Sequence, residues 1–327
     1  MKLPALKPVL DKRQVALARA RFKAWWEGED FDPAAAEAAF AEAAEAVETT
    51  QAASPTASAP GPDADLFEPE TPPLSPRFEA LFRLWGDHRI APGDPAEEGQ
   101  IGQRLGLMGE AALAVIGPGH AAPLIAVAGG FPGAITAHEW RDDTRAACDA
   151  AVARAGLAAR VRVAPADLDT IHFAAESVDG LWSVDDFTYA DHAAGLAHQI
   201  TRALKPGAAA LIETYAAEPG AALAPSFATA FAEPHLRAHA ALCEMFHDCG
   251  LRLEHDDDVS AAHVALAKRG FKRLEEALAA AAQGGLGVHT LREIAWEAEA
   301  WRARIRFLNQ KRLRRVRLIF RKPAGSD

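Results

Sequence analysis

Cysteine is scarce in this chain: Cys148, Cys243 and Cys249 are the three in 327 residues. Three scattered thiols cannot build a disulfide framework, and they point to a reducing cytoplasm. Long apolar runs are missing too. No stretch of about 18 apolar residues occurs, so no membrane span is predicted. The opening MKLPALKPVLDKRQ lacks the apolar core of a secretion signal. Positive charge is in deficit, with 35 Lys and Arg against 45 Asp and Glu. That balance argues against general nucleic-acid binding, which relies on cations that neutralise phosphates. What is present is length and a hydrophobic share of 50%, enough for one large packed domain with appendages.

Composition divides the chain. Residues 1–48 read as a helical N-terminal arm, with Phe22, Trp25 and Trp26 supplying apolar contacts. This arm either packs back on the domain or recruits a protein partner. Residues 49–76, rich in Ala, Ser, Pro and acids, bury too little apolar surface to offset their ordering entropy and read as a mobile linker. A folded domain is expected over 77–323: a helical lid at 77–110, a core at 111–260, a helical insertion at 261–310 and a last strand at 311–322. Helices are predicted at 77–85, 96–110, 120–129, 141–155, 192–204 and 226–249. Strands are predicted at 112–116, 133–138, 160–164, 178–184, 208–214 and 251–255. Thr290–Glu293 reads as a capping box opening the last helix.

Strands alternating with helices imply parallel crossovers. The expected fold is α/β, Rossmann-like and doubly wound: a mostly parallel seven-stranded sheet with an antiparallel last strand. The most informative stretch is LAVIGPGHAA at 113–122, an apolar strand running into a Gly-Pro-Gly turn and a helix of small residues. A second strand follows and ends on Glu139. The glycines allow a ligand to approach the backbone, the helix N-terminus is expected to offer free N–H groups, and Glu139 can accept hydrogen bonds from a ribose diol.

These residues resemble the class I S-adenosylmethionine-dependent methyltransferases. VIGPGH at 115–120 is similar to the glycine motif after the first strand, and Ala166-Asp167-Leu168 to the segment carrying an acid for the adenine amine. SVDGLWS at 177–183 resembles the fourth strand, and RALKPG at 202–207 the "RvLKPGG" turn before the fifth. Leu84-Trp85-Gly86-Asp87-His88 resembles the segment ahead of the core in small-molecule methyltransferases of the tocopherol and sarcosine type. The resemblance implies S-adenosylmethionine as cofactor, held by Gly117, Pro118, Gly119, Glu139, Trp140, Asp167, Leu168 and Ser183, and a small-molecule methyl acceptor. Two departures stand out. Val115 replaces the family's acid two residues before the first glycine, and Ala121 replaces the third glycine. The lost acid removes an anchor for the methionine end, so the alternative is a methyltransferase-like binding or regulatory protein without activity.

Methyl transfer is an in-line displacement governed by alignment, with a base needed only when the nucleophile carries a proton. Groups at the carboxyl ends of the strands are therefore the catalytic candidates: Asp185, Asp186, Tyr189 and His88, with Glu213, Tyr215 and His192 behind them. His235, His239, Cys243 and His247 recur every fourth residue, but no second shell accompanies them and no metal site is expected. The basic segment Lys311–Lys322 reads as a strand whose Leu313, Val316, Leu318 and Phe320 face inward while its arginines pair with carboxylates.

Overall fold

A computed structural model describes residues 74–221, 234–281 and 286–324, together with Ala34 and Ala38, which are helical and exposed. The rest of the N-terminal arm, nearly all of the linker and the first part of the helix expected from 226 lie outside the described residues.

The sheet has eight strands: β1 (Ala112–Ile116), β2 (Ala134–Glu139), β3 (Val161–Pro165), β4 (Val178–Val184), β5 (Leu204–Ala217), β6 (Arg237–Ala238), β7 (Arg252–Asp258) and β8 (Leu313–Arg321). Their order is β3-β2-β1-β4-β5-β8-β7, and the two-residue β6 pairs with β5. β1 to β5 run parallel, and β8 is antiparallel to both β5 and β7. The fold is thus the doubly wound, mostly parallel sheet with an antiparallel last strand. Central strands such as β4, VDGLWSV, are buried on both faces, which explains their near-continuous apolar sequence.

Helices α4 (Ala121–Gly130) and α5 (Asp142–Arg154) cover one face. They enclose Leu113, Val115, Leu124, Val127, Cys148 and Trp182. Helices α6 (Ala193–Ala203) and α7 (His239–Asp248) cover the other, around Ile116, Leu196, Ile200 and Phe246. A third cluster lies beyond the sheet's carboxyl ends. There α1 (Pro76–Trp85), α8 (Ser260–Ala281) and α9 (Val288–Asn309) join Phe78, Trp85, Phe271 and Trp301 into a helical cap.

Local chemistry sets several boundaries differently from the sequence pattern. Ser75 and Pro76, linker by composition, are the N-cap and first residue of α1, with the Ser75 hydroxyl accepting from the Phe78 N–H. The single helix expected over 96–110 is two short pieces, α2 (Pro95–Gly99) and α3 (Ile101–Arg104). Beyond them Gly106 and Gly109 take positive φ and carry the chain to β1. Among the described residues α7 starts only at His239. β5 starts at Leu204, four residues early, where β4 and β5 shift register. Thr290 caps nothing. α9 opens at Val288 with Gly287 as N-cap, and the Thr290 hydroxyl donates to Glu79 across the cap at 2.7 Å.

The basic last strand is neutralised within the domain. Leu313, Val316, Leu318 and Phe320 are buried. Arg314 pairs with Glu218 and Asp258, Arg315 with Asp185, Arg317 with Glu213 and Glu97, and Arg321 with Glu254. Among the described residues no helix is long and apolar enough to cross a membrane.

Phe246 is fully buried, stacked on Phe320 at 4.5 Å and tilted against Phe187 at 5.2 Å. Phe246→Ala is expected to destabilise the domain by about 3–5 kcal/mol, the range for emptying an aromatic site in a packed core. The check is urea denaturation, with a lower midpoint at unchanged slope.

Candidate functional site

Strand order reverses between β1 and β4, so the chain leaves these neighbours toward opposite faces and a crevice opens at their carboxyl ends. Register fills that edge with named residues. Ile116 lies beside His138 on one side and Ser183 on the other. The turn after Ile116 is therefore flanked by Glu139 and by residues 184–186. Gly117 and Gly119 adopt φ of 63° and 75°, a region costly for any residue with a Cβ.

The amides of this turn are not free. The Gly117 N–H donates to the His138 carbonyl, His120 N–H to Pro118, and Ala122 N–H to the His88 carbonyl at 3.0 Å. The Ala121 N–H donates to His120 Nδ1 at 2.7 Å, and Gly119 N–H to Glu139 Oε2 at 3.0 Å. The loop after α1 lies over the turn: a Cβ at Gly119 would come within 2.9 Å of Ile90. A buried two-pronged Arg89–Glu98 pair fixes that loop.

Glu139 is 1% exposed. Besides Gly119, its carboxylate accepts from the Arg141 N–H at 3.0 Å, from Arg141 Nε at 2.7 Å and from Nη2 at 3.1 Å. Arg141 also lies 4.4 Å over the Trp140 ring. Burial works against the charge of Arg141, but Glu139, through charge and hydrogen bond, together with Tyr189 and Asp186 outweighs it and raises the guanidinium pKa. Trp140 and Arg141 face the cavity, so the Glu139 carboxylate stands behind its own salt bridge.

Asp185, Asp186 and Tyr189 follow β4. Asp185 has φ of 66°, a strained value for a non-glycine residue, and pairs with Arg315. Asp186 is fully buried. The Ser183 hydroxyl donates to its Oδ2 at 2.8 Å, while Oδ1 has no hydrogen-bond partner. Burial pushes the Asp186 carboxyl up to about 8; Glu139 and Asp185 add to the rise, against the opposing pull of Ser183 and Arg141.

A cavity of about 850 Å³ spreads from the glycine turn to the cap. On its far side the Tyr215 hydroxyl and His263 Nε2 share a hydrogen bond of 2.7 Å. Burial, with Arg315 and Arg304 nearby, holds the His263 pKa well below the usual imidazole range, so the ring is neutral at pH 7. Trp301, Trp296 and Arg304 complete this end. Tyr215 stands where the strand pattern puts it, but no pattern pointed to His263, which α8 brings to it from 48 residues away.

The residues anticipated from sequence thus separate. Gly117, Pro118, Gly119, Trp140, Asp185 and Tyr189 line the cavity. Ser183 and Asp186 are buried behind it, as is Glu139. Asp167 is exposed and Leu168 is core, both outside the cavity lining. His88 stacks on His120 with ring centroids 5.1 Å apart and borders a separate groove. Among the described residues no cluster of three or more His, Cys, Asp and Glu could hold a metal; His239 instead bonds Asp256 at 3.0 Å.

Residues 114–212 match the family model for a methyltransferase domain. No curated protein matches the chain by sequence. Solved structures do resemble it. Phosphoethanolamine N-methyltransferase 2 of Haemonchus contortus, in complex with S-adenosyl-L-methionine, aligns with a TM-score of 0.66 and 20% identity, over 75% of this chain and 56% of its own. This chain therefore spans little more than half that enzyme's length. A geranyl diphosphate C-methyltransferase from Streptomyces coelicolor A3(2) aligns with a TM-score of 0.53 and 14% identity, over 76% of this chain and all of its own. The cyclase SpnF aligns with a TM-score of 0.58 and 17% identity, over 73% of this chain and 87% of its own. At these identities the likeness is one of fold, the class I methyltransferase fold.

The raised Asp186 carboxyl has a consequence for stability. The folded chain keeps its proton up to about pH 8, whereas the unfolded chain loses it near the ordinary carboxyl value of 3.8. Stability from this group is therefore full below about pH 4 and is lost as pH rises toward 8. Asp186→Asn, which cannot ionise, is expected to unfold at a higher temperature than the parent at pH 8–9 without ligand. That margin should shrink as pH falls and vanish below about pH 4 in a thermal denaturation series.

Proposed function

We propose that this chain is an S-adenosylmethionine-dependent methyltransferase whose acceptor is a small molecule. The observation that carries the reading is the cavity at the strand-order reversal, walled by the glycine turn and roofed by the helical cap. Its volume of about 850 Å³ lies in the range of small-molecule sites. The residues present suit the cofactor. Gly117 and Gly119 admit close backbone approach and Trp140 offers an aromatic face, all three lining the cavity. Glu139 reaches a ribose diol only if Arg141 gives up part of its hold.

S-adenosylmethionine, when bound, supplies a methyl group on a positively charged sulfur. The chain's own contribution is alignment and exclusion of water. On this reading α1, α8 and α9 close over the acceptor, and Trp301 and Trp296 bound its apolar side. The neutral Tyr215–His263 pair would hydrogen-bond a polar group of the acceptor at this end. The compartment on this reading is the cytoplasm, supported by three cysteines that remain free thiols.

One observation favours a second reading. Glu139 is saturated by Arg141 and the turn amides are internally bonded, as in a fold that has lost its ligand. The fold alone does not choose between the two, since one neighbour of the same architecture is a cyclase.

Thermal denaturation with millimolar S-adenosylmethionine decides. A ligand specific for the native state adds about 2.7 kcal/mol at a 100-fold excess over Kd, and the midpoint rises. Glu139→Gln is expected to weaken calorimetric binding by about 10- to 100-fold, the value of a charged hydrogen bond. An unmoved midpoint in the parent chain selects the second reading.

A further inference from the structure

A second groove, of about 810 Å³, opens between the end of α1, the start of α4 and α8. It shares the loop residues Arg89 and 92–94 with the larger cavity, whereas Trp85, His88, Lys272 and Arg273 border the groove alone. Helix packing gathers its nitrogen groups. α8 crosses α1 so closely that a Cβ at Gly270 would lie 2.5 Å from the Trp85 ring and 2.8 Å from the Leu84 carbonyl oxygen. Arg273 follows one turn later, and its Nη1 stands 3.2 Å from where a Cβ on Gly86 would be. The guanidinium therefore sits beside the residue that follows Trp85.

The groove carries donors without acceptors. Trp85 is 2% exposed, yet its indole N–H has no hydrogen-bond partner, and neither has Nδ1 of His88. An indole nitrogen can only donate, and leaving such a group buried and unpaired is costly. Burial, aided by Arg154, lowers the His88 pKa against the pull of Asp87, so the ring is neutral at pH 7 and can carry its proton on Nδ1. Cations add to this. Arg269 lies 3.8 Å from Asp94, but Lys272 and Arg273 have no ion pair among the described residues. The other acid of the lining, Asp87, is exposed at the rim. Ile125 and Leu266 supply an apolar wall.

We propose that this groove binds a small organic oxyanion, a phosphate monoester or a carboxylate. The Trp85 indole N–H and the Arg273 guanidinium hold its charged end, Lys272 and His88 support them, and its apolar part lies on Ile125 and Leu266. Fixed N–H groups aimed at one point suit the lone pairs of an oxyanion. The site is independent of the cofactor reading, since none of these four donors borders the larger cavity.

Calorimetry on the full-length chain at fixed ionic strength tests this with phenyl phosphate, benzoate and the uncharged benzyl alcohol. At least one of the two anions should bind about tenfold or more tightly than benzyl alcohol, and the tighter anion names the ligand class. Trp85→Phe, which keeps an aromatic ring and removes the N–H, should weaken anion binding by about 10- to 100-fold, as should Arg273→Gln. Lys268→Gln removes an exposed charge from α8 outside the groove and should change binding by less than about twofold. Arg273 is exposed, so its variant keeps the test decisive should Trp85→Phe not fold. Anions that bind no better than benzyl alcohol overturn the proposal. Binding that survives Arg273→Gln, or falls equally in Lys268→Gln, also overturns it, because the attraction is then diffuse charge along the helix.

Discussion

The Glu139 carboxylate is the group around which the cleft is organised. It ends β2, takes the amide of Gly119 across the crevice and clamps Arg141 through its backbone N–H and its guanidinium. A charge buried this deeply persists only with a full set of donors. Its partners fix the turn that follows β1, the exit of β2 and the start of α5. The walls that a nucleoside would meet are therefore held rigid before any ligand arrives, which favours pre-organised binding. The same saturation means that binding through Glu139 is an exchange of partners and gains less than an open carboxylate would.

Charge is handled in two ways across the cavity. On the glycine-turn side the acids outnumber their cations: Glu139, Asp185 and Asp186 stand near Arg141 and Arg315. Burial first, and then the neighbouring Glu139 and Asp185, make the Asp186 carboxyl keep its proton to about pH 8. On the cap side every acid has a cation within reach. Glu297 is held by Arg77 and Glu213 by Arg317. The Trp182 indole also donates to Glu213 at 3.0 Å. The first pair joins α1 to α9 within the cap, and the contacts of Glu213 tie β8 and β4 to β5. An acidic overall balance is thus compatible with an arginine-rich last strand, because each arginine has its carboxylate inside the domain.

Much of this was legible in sequence because the signals are local. Alternating apolar strands and helices, the GPG turn and the KPG turn gave the doubly wound sheet. In the last strand Val316, Leu318 and Phe320 keep a period of two on one face, whereas Leu313 joins the cap cluster on the other. Gly117, Gly119, Trp140, Asp185 and Tyr189 lie at carboxyl ends of strands and do line the cavity. The misreadings have physical causes. The helix over 96–110 that periodicity suggested is interrupted after Gly99 and ends before Gly106, whose φ is positive. Thr290 and Glu293 have capping spacing, yet Gly287 starts the helix and Thr290 bonds Glu79. Amides expected to be free for a ligand are taken by the adjoining His120 and by the distant His88 carbonyl and Glu139 carboxylate.

The sequence by itself determined the architecture and the edge of the sheet where a ligand would sit, because periodicity and glycine placement act over a few residues. Only the tertiary structure decided how that edge is wired: Arg141 over Glu139, Asp186 against Gly117, His263 beside Tyr215. Those contacts depend on strand register and helix packing, which join residues far apart in the chain. Whether a carboxylate meets a guanidinium, an amide or nothing is settled by which side chains the folded core leaves beside it.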